Sequence, residues 1–144
     1  MQNHIAPHRF YFSLIEFLVS AKQHMIAIGA EVGLTSVQAI TLMLVDASHP
    51  RSMGSFCTVF HCDAGNMTGI IDALEERGLV SRQNDPNDRR IKVIRLEAAG
   101  KKLQQQITTR LSQDNGFMFN PLSKEEAKQF VSIVEKLALY NKPA

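Results

Sequence analysis

Two short groups of residues in this chain have the types and spacing to do chemistry. Asp63, Gly65, Asn66, Thr68 and Gly69 lie within seven residues. They combine a carboxylate suited to capping a helix with small or hydrogen-bonding positions that could approach base edges and phosphates closely. Asp88, Arg89 and Arg90 close the hexapeptide Asp85-Pro86-Asn87-Asp88-Arg89-Arg90. Guanidinium groups on such a tip can enter a narrow minor groove, and Asp88 could orient one of them through a bidentate pair. A third group, Cys57, His61, Cys62 and Asp63, holds thiol and metal-ligand types. Four ligands of a structural zinc would all have to come from seven residues around a helix junction, so no metal and no cofactor is expected. A Cys-His nucleophile lacks a third, orienting residue, so no catalytic residue is assigned and the chain is not read as an enzyme.

Elements must position these groups. Asp63 is a good N-cap, and Met67, Ile70, Ile71 and Leu74 follow at helical spacing as a buried stripe that Gly78 terminates. Asp72 and Glu76, further along the polar side, would meet phosphates with like charge, so only the first two turns suit a DNA groove. Glycine costs a helix about 1 kcal/mol relative to alanine, and two glycines on that face point to close approach by something large. Strands are predicted over Leu79 to Gln83 and Ile91 to Leu96, joined by the arginine-bearing turn. The order from Ser52 to Lys102 is helix, tight turn, helix and basic hairpin, a winged helix-turn-helix.

On either side lie more helices. The first is predicted from about Pro7 to Ala30, with apolar residues from Phe10 to Ile28 spread over more than one stripe. Thr35 and Gln38 form a capping box for the second, which should end between Ala47 and His49, before Pro50. A third begins near Ser52 with Met53, Phe56, Cys57 and Phe60 on one face. The fifth, Ala98 to Asn115, carries Ala99, Leu103, Ile107 and Leu111, and Asn115-Gly116 stops it. An apolar connector of Phe117, Met118, Phe119 and Pro121 leads to a sixth helix, opened by Ser123 with Glu126 and striped by Ala127, Phe130, Val131, Val134, Leu137 and Ala138. The fold class is therefore mainly α (α+β). A single domain spans residues 1–144, with a winged helix DNA-binding lobe at about 33–100 and dimerisation helices at about 7–30 and 101–141. So much apolar surface is hard to hide in one chain of 144 residues, so a homodimer is expected. Its two-fold symmetry would set two recognition helices about 34 Å apart on a palindromic site.

Charge is uneven along the chain. Residues 1–76 hold three Lys/Arg and seven Asp/Glu, residues 77–102 eight and three, and residues 103–144 five and four, giving −4, +5 and +1 against a net +2. The excess falls on and around the hairpin, as a phosphate-facing surface requires. Glu16 interrupts the apolar run at the N-terminus, and no stretch reaches the roughly 20 apolar residues of a membrane span, so no membrane partner and a cytoplasmic location are expected. Two cysteines five residues apart cannot make a secreted disulfide framework.

This arrangement resembles the MarR family of bacterial winged-helix transcription regulators. The resemblance rests on Leu34-Thr35 with Gln38, on Asp63, Gly65, Asn66, Thr68, Asp72, Leu74, Glu75, Gly78, Leu79 and Val80, and on Asp85 to Arg90 with Leu96, Ala99 and Gly100. It implies a homodimeric repressor of a palindromic operator, relieved by a small-molecule effector. By position, Gly65, Asn66, Thr68 and Gly69 would face bases or phosphates, Arg89 and Arg90 would be the wing arginines, and Asp88 would hold the wing. Gly69 stands where many members have a basic residue, His61 where a turn glycine is common, and Glu97 where a threonine often caps the next helix. Two alternatives follow: a winged-helix protein-interaction module without DNA binding, or a cysteine-based redox-sensing regulator, in which His61 and the adjacent helix start lower a thiol pKa.

Overall fold

Amphipathic spacing and well-placed caps build the chain into six helices and a three-stranded sheet among the described residues, which in this computed structural model are 7–46, 48, 50–113 and 120–140. In chain order these are α1 (Pro7–Glu31), α2 (Ser36–Leu44), β1 (Arg51–Ser52), α3 (Met53–Phe60), α4 (Ala64–Glu76), β2 (Val80–Asn84), β3 (Lys92–Leu96), α5 (Ala98–Gln113) and α6 (Lys124–Tyr140). The sheet order is β1-β3-β2, antiparallel throughout, with Arg51 opposite Ile94 and Arg82 opposite Ile94 from the other side. This is the winged helix fold.

Its core is assembled from one face of each central element. Ile28 of α1, Ala39 and Leu42 of α2, Phe56 of α3, Met67, Ile71 and Leu74 of α4, Val80 and Ile94 of the hairpin, and Ile107 of α5 are all buried. Each side chain of this size gains about 1.5–3 kcal/mol on leaving water, which is why α4, with three of them, is firmly seated. By contrast α6 buries no residue, and α1 buries little before Ile28.

Caps set the element boundaries. The Thr35 hydroxyl accepts from the Gln38 N–H at 3.2 Å while the Gln38 carbonyl oxygen accepts from the Thr35 N–H at 2.9 Å, completing the predicted box. Ser123 and Glu126 do the same for α6. The end of α2 departs from the sequence expectation: the helix stops at Leu44 instead of continuing to residues 47–49. The Gln104 side-chain amide of α5 donates to the carbonyls of Leu42 and Val45 at 2.9 and 3.0 Å, so the last turn is satisfied from outside and the chain turns into extended backbone at Val45. That turn frees Arg51 and Ser52 to pair with β3, a strand too short to leave a pattern in the sequence. The seam of α5 also shifts, since Ala99 is exposed and Gly100 is buried in its place. The expected helix stop at Asn115-Gly116 and the connector residues Phe117, Met118 and Phe119 lie outside the described residues.

Both ends of the helix-turn-helix close with a Schellman motif. After α4, Gly78 takes φ +65°, its N–H reaches Glu75 O at 2.8 Å, and the Leu79 N–H reaches Leu74 O at 3.0 Å. After α3 the left-handed residue is His61, at φ 48°. Such a conformation costs a residue with a Cβ about 1 kcal/mol, so His61→Gly is expected to raise stability by about that much in chemical denaturation. Gly100 has the opposite sensitivity. A Cβ there would lie 1.8 Å from Leu79 O, and Gly100→Ala is expected to lower stability by about 3 kcal/mol or more in the same measurement.

Candidate nucleic-acid interface

The start of α4 is built from Asp63. Its backbone is extended and its Oδ1 accepts from the Asn66 N–H at 2.7 Å, satisfying one of the free donors of the first turn. Gly65, Asn66, Thr68 and Gly69 are all exposed. A Cβ at Gly65 would come within 3.3 Å of the capping carboxylate, so part of the reason for glycine is local. Gly69 is different: a Cβ there would meet nothing within 4 Å. Nothing inside the molecule requires a glycine at 69, so its lack of a side chain only lowers the outer surface of the helix.

The turn between β2 and β3 is held by its own acidic residues. Asp85 Oδ1 accepts from the N–H groups of Asn87 and Asp88 at 2.7 and 3.2 Å, and the Asp85 N–H donates to Ile91 O at 2.9 Å. At the tip Arg90 Nε and Nη2 donate to the two oxygens of Asp88 at 3.0 and 2.9 Å, the bidentate geometry anticipated from the sequence. The Arg90 side chain is 91% exposed, so the pair adds little to stability. What it does is aim the guanidinium. Hydrogen bonds from the Arg90 side chain and then from its backbone N–H hold the Asp88 carboxyl below its ordinary value. Arg89 is exposed beside it.

A residue that the sequence analysis counted only as charge turns out to join these two parts. Arg82, on β2, pairs with both Asp72 and Glu75 of α4, its backbone N–H donates to Glu75 Oε1 at 3.0 Å, and Nη2 reaches Thr68 O at 3.4 Å. Partial burial opposes its charge, but Asp72 and Glu75 outweigh that and raise its pKa. The negative charge at the end of α4 is thereby reduced from the hairpin, and hairpin and helix are clamped together. Arg77 is likewise turned inward, donating to Gly33 O and Val32 O at the end of α1. The free positive charge on the outer surface is therefore smaller than the +5 of residues 77–102 suggests. Sequence could hint at the clamp only through an Asp-Glu pair three apart on one helix with an arginine in the next strand.

The thiols flank the turn that leads into α4. Cys57 and Cys62 are half-buried and packed against the core, the role of small hydrophobes. Burial, then the neighbouring Cys57 and the Asp63 carboxylate, push the Cys62 thiol up, the reverse of the lowering that a peroxide sensor built on His61 and the helix start would need. Among the described residues no three His, Cys, Asp or Glu side chains come together as a metal site, and no single helix is long and apolar enough to cross a membrane.

Comparison with known proteins agrees with this geometry. A model described as the MarR family matches residues 34–92. An uncharacterised HTH-type transcriptional regulator, YcgE of Bacillus subtilis strain 168, is 29% identical over 107 residues, covering 74% of this chain and 70% of the relative. CouR from Rhodococcus jostii RHA1 bound to p-coumaroyl-CoA is 25% identical with a TM-score of 0.70, over 94% of this chain and 92% of that one. The repressor CouR bound to a 23-mer DNA duplex is 22% identical with a TM-score of 0.74, over 96% and 98%.

The Asp88 pair gives a direct test of the wing geometry. Because the folded carboxyl is depressed, the pair is complete above the ordinary carboxylate range and is lost only as pH falls through the lower folded value. An NMR titration of Asp88 is expected to show a midpoint below 3.8, moving up toward it in Arg90→Ala.

Proposed function

We propose that this chain, whose residues 34–92 match the model of the MarR family, is a winged helix-turn-helix regulator of that kind: a homodimeric repressor of a palindromic operator, released by a small-molecule effector. The observation that carries this reading is a pair of exposed features, the first two turns of α4 and the Asp88-Arg90 tip, on a helix and a hairpin that Arg82 ties together. Gly65, Asn66, Thr68 and Gly69 approach base edges and phosphates in the major groove, where a helix of this width fits. Arg89 and Arg90 reach the neighbouring minor groove, with Asp88 as the orienting residue. A cytoplasmic location is part of the same proposal, since its ligand is double-stranded DNA.

Pairing is supported by what one chain leaves uncovered. Tyr11, Phe12, Ile15, Leu18 and Val19 of α1 and Ile133, Leu137 and Leu139 of α6 are each more than half exposed. The two helices meet through Phe17 and Phe130, whose rings stand edge to face at 6.1 Å, so their bare faces belong to one end of the molecule. An apolar area of this extent favours burial against a second copy. Residues 7–30 and 101–141 are accordingly the dimerisation helices, and residues 33–100 the DNA-binding lobe. An effector is supported by the structural likeness to CouR, which binds p-coumaroyl-CoA. Met25 of α1 and Met43 of α2 pack against the core.

The competing reading is a protein-interaction module without DNA binding, favoured by the neutral Gly69 and by the inward use of Arg77 and Arg82. Fluorescence anisotropy with the gene's own upstream region separates the two. The proposal expects binding that weakens steeply with salt, and a loss of about one unit of salt slope for each arginine removed in Arg89→Ala and Arg90→Ala. Binding that is absent at low salt favours the module, and binding that is unchanged in the double variant refutes the wing assignment. For the dimer, light scattering should give twice the chain mass, and Leu18→Glu with Leu137→Glu should shift it toward the single-chain value.

A further inference from the structure

Two side chains on the outer face of α4 carry hydrogen-bonding groups that the fold does not use. Among the described residues the Asn66 amide and the Thr68 hydroxyl, both exposed, have no partner within the protein. Helical threonines elsewhere turn back on their own helix: Thr58 Oγ1 donates to Gly54 O at 3.0 Å, and Thr108 Oγ1 to Gln104 O at 2.9 Å. Thr68 does not. Successive residues lie about 100° apart around a helix, so Gly65 and Gly69 occupy the middle of the outward face of α4 and Asn66 and Thr68 its two flanks. A large side chain in the middle would hold the helix off the floor of a groove, and at Gly69 nothing within the protein forbids one. Its absence lets short neighbours reach base edges.

Charge narrows what those neighbours read. From Ala64 to Ile71 no residue is charged. Guanine is read in the major groove chiefly by arginine or lysine, whose donors meet its O6 and N7 acceptors, and cytosine by a carboxylate facing its amino group. The carboxylates of α4 and its cap are taken, Asp72 and Glu75 by Arg82 and Asp63 by the Asn66 N–H. Arg77, at the far end, is spent on α1. What remains is an amide and a hydroxyl that bears a methyl group. An asparagine amide matches adenine, donating to N7 while its oxygen accepts from the N6 amino group, and a threonine methyl packs on the C5 methyl of thymine.

We propose that α4 reads A·T pairs and not guanine, with Asn66 as the adenine reader, Thr68 as the contact to the thymine methyl, and Gly65 and Gly69 giving both their reach. This rests on the DNA-binding reading above and names the base content of its half-site. Arg89 and Arg90 favour A·T sequence for a separate reason, the width of the minor groove. The two contributions separate chemically. Replacing N7 of a purine by CH, or removing the thymine methyl, alters the major groove alone.

The test is selection of bound duplexes from a randomised library by the full chain, followed by anisotropy on the selected duplex carrying single replacements. Expected are half-sites with A·T at the inner positions, where 7-deazaadenine weakens binding at least about fivefold, uracil in place of thymine weakens it measurably, and 7-deazaguanine anywhere changes nothing. Asn66→Ala should bind the adenine and 7-deazaadenine duplexes equally, and Thr68→Ser the thymine and uracil duplexes equally, with folding of each variant checked by circular dichroism. Gly69→Leu should weaken binding with no loss of thermal stability. Half-sites that depend on guanine N7, or variants that discriminate the replaced atoms as sharply as the parent does, would overturn the assignment and leave the regulator reading standing. Gly69→Leu binding as tightly as the parent would overturn the role of the glycines. No salt-dependent binding to any duplex would overturn both the assignment and the reading beneath it.

Discussion

Arg82 is the interaction on which the working surface depends. A two-stranded hairpin is marginal by itself, and a hairpin tip carrying two arginines would wander relative to the helix beside it. One guanidinium on β2 takes both carboxylates at the far end of α4, while the backbone N–H of the same residue bonds one of them. The arrangement does two things at once. It fixes the hairpin against the helix, and it offsets part of the negative charge that would repel a polyanion approaching along α4. The Arg82 side chain is three-quarters shielded from water, so the pairing is screened less than the surface pair at Asp88 and Arg90.

Seen from this clamp, the chain divides by how its charges are spent. Arg77 holds the end of α1, Arg82 holds the hairpin, and Arg110 pairs with Glu31 between α5 and α1. These cations are structural. Arg89 and Arg90 are spent on nothing that the fold needs, since a fully exposed tip gains little from a single surface pair. The same contrast separates the glycines: Gly100 makes room for the Leu79 carbonyl, whereas Gly69 makes room for nothing within the protein. Residues whose properties the fold does not use are the ones to assign to a ligand.

Much of this was legible in the residues alone, where the cause is local. Caps at Thr35, Asp63 and Ser123, the Met67–Leu74 stripe, the Gly78 stop and the Asp88–Arg90 fork all depend on neighbours a few positions away, and each has its expected partner. What escaped depends on distant contacts. Gln104 ends α2 from 62 positions away. The strand at Arg51 exists because β3 has an open edge, and Arg82 finds its carboxylates only once the hairpin folds back on α4. Segment charge misled for the same reason, because it counts cations without knowing which are already paired. His61 lies between these cases: its type argued against a left-handed turn, and the Schellman hydrogen bonds imposed one regardless.

The central claim is that α4 and the arginine tip act as one rigid reader, presented twice by a symmetric pair of chains. Hydroxyl-radical footprinting on the operator tests it most directly. The account predicts two protected patches about one DNA turn apart, each flanked by a minor-groove protection that disappears in Arg89→Ala/Arg90→Ala while the inner protection remains. A single unrepeated patch, or flanks that survive the double substitution, would contradict it.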